Sequence, residues 1–197
     1  MNAQLTRIAD CADVLPGYAL KARAKHEPEG THQVILGKHL AEGLPYRYLP
    51  KHELRITTKG SLEKYRVREG DVLLVSRGIR NHASIVESVP DPTVASATFY
   101  ILRPHNGIDS TFLAWCLNQP PIQARLAQVR TGAGTPIIQR RIFAELTLPV
   151  PPLDKQRQLA ELGELMMKER TLRQALLDQS NRLHRALGEK ILRQMTS

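Results

Sequence analysis

The sequence predicts an α+β protein: a β-rich domain with a curved, mostly antiparallel sheet, followed by one long C-terminal coiled-coil helix. Two observations carry this. All 13 prolines of the 197 residues lie before residue 153, ending in Leu148-Pro149-Val150-Pro151-Pro152. Proline lacks an N–H and clashes with the preceding turn, so it excludes regular helix interiors where it recurs. After Pro152 the chain is instead rich in Leu, Gln, Glu, Lys and Arg, which are strong helix formers. The boundary therefore divides residues 1–152 from residues 153–197.

The elements follow in order. Gln33 to Leu36 is a short strand candidate, and Leu54 to Thr58 alternates as a half-buried strand does. Gly70-Asp71 introduces Val72-Leu73-Leu74-Val75-Ser76, an apolar run short enough for a buried strand. Ser84 to Val86 and Thr98 to Leu102 are further strands, the second ended by Arg103-Pro104. Asp109 or Ser110 caps a helix over Thr111 to Asn118. Pro121 suits the first turn of a second helix reaching Val129. Glu145 to Val150 is one last strand. Asp154 then caps a helix running to about Met195, roughly 60 Å long.

That helix carries Leu162, Leu165, Met166, Leu172, Leu176, Leu183, Leu187 and Ile191 at three- and four-residue steps. The repeat resembles a coiled-coil seam, though Gln, Glu and Ser interrupt a strict heptad. The stripe calls for a partner helix; the alternative is a helix folded back on its own domain.

Composition narrows the function. Hydrophobic residues make up 42% and charged residues 24%, which is globular and not disordered. No apolar run approaches the ~20 residues that span a bilayer. The first ten residues lack the apolar core of a signal peptide. Two cysteines, Cys11 and Cys116, are too few for a disulfide scaffold, so a reducing cytoplasm is expected. The formal charge of +9 favours an anionic partner, most often nucleic acid. The surplus is +5 over residues 1–80, +1 over 81–153 and +3 over 154–197, so it sits at the two ends. Nine aromatic residues are few for a single-strand binder that stacks bases.

Catalytic signatures are weak. Gly132-Ala133-Gly134-Thr135 lacks the third glycine and the Lys-Ser/Thr ending of a phosphate loop. Pro151-Pro152 lies between Val150 and Leu153, unlike the catalytic segment of an adenine methyltransferase. The seven histidines show no spacing tied to cysteines, so no metal is expected. Cys116, beside Trp115 and Leu117, reads as a buried structural thiol. No covalent chemistry is expected of the chain alone.

Several segments together resemble the target-recognition half of type I restriction–modification specificity subunits. Leu5 to Asp10 with Gly17-Tyr18 is similar to the family's opening strand and glycine turn. Gly70 to Gly78 (Gly-Asp-Val-Leu-Leu-Val-Ser-Arg-Gly), the helical pair from Thr111 to Leu126, and Gly132 to Ile138 follow in the family's order. Leu146 to Gln156, a strand with a proline stop running into a long helix, is the most specific likeness. The resemblance implies a subunit that binds a specific duplex DNA sequence and positions a separate adenine methyltransferase (modification) subunit. S-adenosylmethionine would then sit on that partner only, with no cofactor here. The chain has room for one recognition domain and one helix, where a complete subunit has two of each. A homodimer through antiparallel helices would read a palindromic split site. Pairing with a different half-subunit, or a lone recognition domain, remains open.

Residues that could touch DNA fall in two regions. Arg77, Gly78, Arg80, Asn81, His82 and Ser84 follow the strongest strand; Arg suits guanine and Asn suits adenine in the major groove. Arg130, Thr131, Gly132, Gly134, Thr135, Gln139, Arg140 and Arg141 form the second. Lys38, Lys51, Arg55, Lys59, Lys64, Arg66 and Arg68 are phosphate-facing or simply solvated, and Lys21, Arg23 and Lys25 could track the backbone. Two other classes stay in view. One is a non-catalytic scaffold of a defence system that docks proteins without reading DNA. The other is a stand-alone nuclease or methyltransferase.

Overall fold

The computed structural model describes residues 3–20, 25–58 and 60–195. Lys21, Arg23 and Lys59, each a candidate DNA contact, lie outside the described residues. The first compact unit is Met1–Ala160 and the second is Glu161–Ser197.

The first unit opens with β1 (Gln4–Arg7), the single turn α1 (Ile8–Cys11) and β2 (Ala12–Pro16). Then come β3 (His32–Ile35), β4 (Tyr46–Arg47), β5 (Arg55–Ile56), β6 (Arg66–Val67), β7 (Val72–Val75), β8 (Ala83–Ser88), β9 (Thr93–Ala95) and β10 (Phe99–Pro104). Helices α2 (Ser110–Leu117) and α3 (Pro120–Gln128) follow. A two-stranded ribbon, β11 (Arg130–Thr131) and β12 (Ile137–Ile138), leads into α4 (Arg140–Glu145) and β13 (Thr147–Val150). Helix α5 is Leu153–Met195.

The main sheet has the order β2-β10-β7-β8-β4, antiparallel except for β4 beside β8. A second sheet, β5-β3-β9-β6, contains one parallel pair, β3 with β9. β1 pairs antiparallel with β13. The expected antiparallel-rich architecture is present, divided among several small sheets.

Strand β7 is apolar throughout because both of its faces are covered. Side chains alternate across a strand, so Val72 and Leu74 meet the helices while Leu73 and Val75 meet the opposite core. Tyr100 and Leu102 of β10 join Phe112, Leu117, Leu126 and Phe143 on the helix side. Phe99 and Ile101 join Ile35, Val67 and Ala95 on the other. Cys116 is buried in the helix-side core and Cys11 is buried at the end of α1, and burial pushes both thiols up to about 11.

Asp71 has a structural task in the Gly70-Asp71 motif. Its buried carboxylate accepts Arg103 Nε at 3.0 Å, Arg103 Nη2 at 2.9 Å and the Arg68 N–H at 2.9 Å. Gly17 permits a close approach: a Cβ there would lie 2.0 Å from the Ser96 carbonyl oxygen.

Three expectations are corrected. The opening strand ends at Arg7, because Ile8–Cys11 coil into a turn that buries Ile8 and Cys11 three residues apart. The last strand begins at Thr147 and not at Glu145, because Arg140–Glu145 form a helix anchored by fully buried Phe143. Asp154 is not the cap of α5. It lies in the first turn, and the Pro152 carbonyl accepts Lys155 and Gln156 N–H instead. An acidic side chain there still favours the positive end of the helix dipole.

Residues Leu153–Ala160 of α5 belong to the first unit. Gln156, 1% exposed, fastens them: Nε2 donates to the Pro151 and Gly107 carbonyls, and Oε1 accepts the Asp109 N–H. Asp109 in turn caps α2, accepting the Phe112 N–H at 2.8 Å. Among the described residues no helix is long and apolar enough to cross a membrane.

Candidate nucleic-acid interface

The two candidate regions, some fifty residues apart in the chain, are bonded to one another. The Gly78 N–H donates to the Pro136 carbonyl at 2.7 Å, and the Ile138 N–H donates to the Ser76 carbonyl at 3.0 Å. Arg77 and Ile137 make an isolated bridge between these segments. Arg130 Nε donates to Asn81 Oδ1 at 2.7 Å. Gly78 sits at a φ of +91°, and Gly132 at +104°, in the left-handed region that glycine alone enters without strain.

Hydrogen bonds tie these segments to the elements beneath them. Tyr100 OH donates to the Ile138 carbonyl at 2.5 Å. Gln123 of α3 donates to the Asn81 and Leu117 carbonyls. Asn118 exchanges both amide hydrogen bonds with the backbone of Ala83, fixing the start of β8. Residues 77–82 and 130–141 contain five arginines and no carboxylate. Arg80 is exposed, with Glu42 4.0 Å away. Arg77 Nε donates to the Ala97 carbonyl and Arg140 Nη1 to the Val14 carbonyl, which orients both side chains. Gln139, Arg141, Gly132, Gly134 and Thr135 are exposed, and exposed Thr131 donates to the Ile137 carbonyl.

Three residues expected to face a ligand do not. Asn81 is 1% exposed, and its amide is spent on the Val75 carbonyl and Arg130. Ser84 is buried in β8. Both ring nitrogens of His82 are buried without a hydrogen-bond partner among the described residues, and burial lowers its pKa.

Most other candidate cations lie elsewhere. Lys38 is exposed on the turn Gly37–His39. Arg66 pairs with Glu63 and Asp91, and Arg68 pairs with Glu63. Arg55 is held by the Gly30 carbonyl, and Lys64 lies over the Tyr65 ring. Lys25 and Lys51 are exposed.

Sequence reasoning missed Asn118, Gln123 and Ile79. Asn118 follows α2 as its C-terminal cap, and Gln123 lies in α3 one residue after buried Ile122. Among the described residues, no three His, Cys, Asp or Glu side chains gather as a metal centre requires.

In the second unit, Leu162, Leu165, Met166, Leu172, Leu176, Leu183, Leu187 and Ile191 are 48–69% exposed. Arg173 pairs with Glu169 one turn away.

The profile of the family described as type I restriction modification DNA specificity domain matches residues 2–164. The specificity subunit of the type I restriction enzyme MjaVIII from Methanocaldococcus jannaschii is 26% identical over 160 residues, 81% of this chain and 34% of that protein. Among solved structures, a chain of a type I R-M system studied for complex assembly and conformational transition superposes with a TM-score of 0.70 at 18% identity. It covers 93% of this chain and 43% of its own. The HsdS subunit of Thermoanaerobacter tengcongensis gives 0.58 at 14% identity, covering 85% and 38%. The S subunit of M. genitalium gives 0.53 at 16% identity, covering 82% and 38%. The chain thus spans about a third of the curated relative's length.

Proposed function

The chain belongs to the family of type I restriction modification DNA specificity domains, and from that premise we propose that it recognises one duplex DNA sequence through the joined segments 77–82 and 130–141. The observation that carries this is their union: hydrogen bonds through Gly78, Ile138 and Asn81 join two segments that together hold five arginines and no carboxylate of their own. Arg77, Arg80, Arg130, Arg140 and Arg141 supply positive charge for phosphates and donors for guanine. Gln139, Thr131 and Thr135 supply uncharged groups for base edges. Gly132 lets the ribbon turn sharply. Asn81 and His82 act from beneath, as holders of the loop. Lys38 and Lys59 are assigned to phosphates.

The chain itself performs no catalysis in this proposal. It positions an adenine methyltransferase subunit, which carries S-adenosylmethionine, in the cytoplasm. The exposed stripe from Leu162 to Ile191 pairs two copies as a homodimer, giving two recognition domains. Selection from a randomised duplex pool tests the reading. One split, palindromic sequence bound with strong salt dependence supports it. Equal binding of all duplexes, or none, leaves the scaffold class instead.

A further inference from the structure

Ile79 is the most exposed large apolar residue described in the first unit, at 71%. A lone exposed isoleucine is ordinary on a protein surface. This one stands between Arg77 and Arg80, in a loop whose two ends are hydrogen-bonded to the rest of the unit. Gly78 is bonded to Pro136, and Asn81 is buried and bonded on both ends of its amide. The Gly78–Pro136 bond and the Arg77–Ile137 bridge join the chain just before Ile79 to the β11–β12 ribbon, whose turn, Gly132 to Thr135, is exposed.

The major groove of B-DNA admits a two-stranded ribbon of this kind. Its floor is polar hydrogen-bonding groups with one apolar exception, the 5-methyl group of thymine. A β-branched side chain is stiff at χ1 and loses little freedom when it packs. The flanking guanidiniums suit phosphates or guanine and would disfavour burial of this tip in an apolar protein partner.

We propose that the β11–β12 ribbon enters the major groove and that Ile79 packs on a thymine methyl group there, making it a specificity-determining residue. The proposal rests on the DNA-recognition reading above and deepens it. Burial of the methyl against Ile79 discriminates thymine from the other bases, while Arg80 beside it supplies charge.

The test uses the full chain and the duplex selected from the randomised pool. Each thymine of that duplex is replaced in turn by deoxyuridine, which removes only the methyl. One position in each half-site is expected to weaken binding about fourfold, as one buried methyl does. The same replacement is expected to have no effect on I79A, which should melt as the native chain does. If no deoxyuridine duplex weakens binding, or if the loss persists in I79A, the proposal is overturned. A native chain without any preferred sequence overturns the parent reading and this one together. A preferred sequence bound without coupling to Ile79 removes this one alone.

Discussion

Arg130 donates from Nε to Oδ1 of Asn81 across 2.7 Å, and that bond ties the β11–β12 ribbon to the loop that follows β7. Asn81 also donates to the Val75 carbonyl at 2.8 Å, so one buried amide serves both segments. The candidate interface is thus held by a residue that is itself buried.

Replacing Asn81 by Ala orphans the Val75 carbonyl and frees the Arg130 guanidinium. The expected cost is about 1–3 kcal/mol of stability. DNA affinity should fall further than stability requires, because the two loops lose their register. N81D keeps the acceptor for Arg130 and should retain more affinity than N81A. Urea unfolding and DNA titration of the same samples check this.

Arg80→Ala and Arg141→Ala remove exposed cations. Each should leave stability within about 0.5 kcal/mol. Each should lower DNA affinity, and for a phosphate contact the slope of log affinity against log salt falls by about 1. R68A is the contrast: Arg68 pairs with Glu63, and its loss should leave the slope unchanged.

The loop surface could not be read in full from the sequence. Val72–Val75, the Asp109 cap and the proline stop were legible, because local apolar runs and capping chemistry announce them. Ile8–Cys11 and Arg140–Glu145 are helices of one or two turns, too short for a period to emerge. β4, β5 and β6 are two residues each, and only their sheet partners define them. Both interface segments were visible as basic, glycine-containing stretches, but their union is a non-local fact. So is the burial of Asn81, His82 and Ser84, whose polar side chains in a basic stretch suggest exposure. Ile79 was missed because an apolar residue among arginines carries no hydrogen-bonding signal.

Acid should destabilise the first unit through His39. Its pKa is pushed down to about 4, first by burial and then by His52 and Lys38. The unfolded chain therefore binds the extra proton between pH 6.5 and 4, and the folded chain does not. The contribution is fully present above 6.5 and is lost as pH falls toward 4. His105, whose pKa is raised by its hydrogen bond to Asp13, has the opposite sense, and its contribution is lost as pH rises above 6.5. H39Q should flatten the acid limb of a urea-midpoint series; an unchanged slope would count against the assignment.

Gln156→Leu removes the three hydrogen bonds that fasten the start of α5 to Gly107, Asp109 and Pro151. The buried groups left behind should lower stability by about 1–3 kcal/mol, read by thermal melting. The proposed DNA contacts lie in other segments, so affinity measured well below the melting temperature should hold.

Dimerisation should reside in the residues after Ala160. Truncation there spares buried Gln156 and Ala160, which the first unit needs. The truncated chain is expected to be folded and monomeric by sedimentation. Leu176→Glu in the full chain should also weaken association. A truncated chain that stays dimeric would place the seam in the first unit.

The central claim is that segments 77–82 and 130–141 together read the DNA sequence. Repeating the random-pool selection with the double variant T135A/Q139A tests it most directly, since both side chains are exposed on the ribbon or next to it. The predicted result is a preferred sequence relaxed at one or more base positions in each half-site, with folding and residual salt-dependent binding intact. The same preferred sequence, recovered at full stringency by the variant and the native chain, would contradict it.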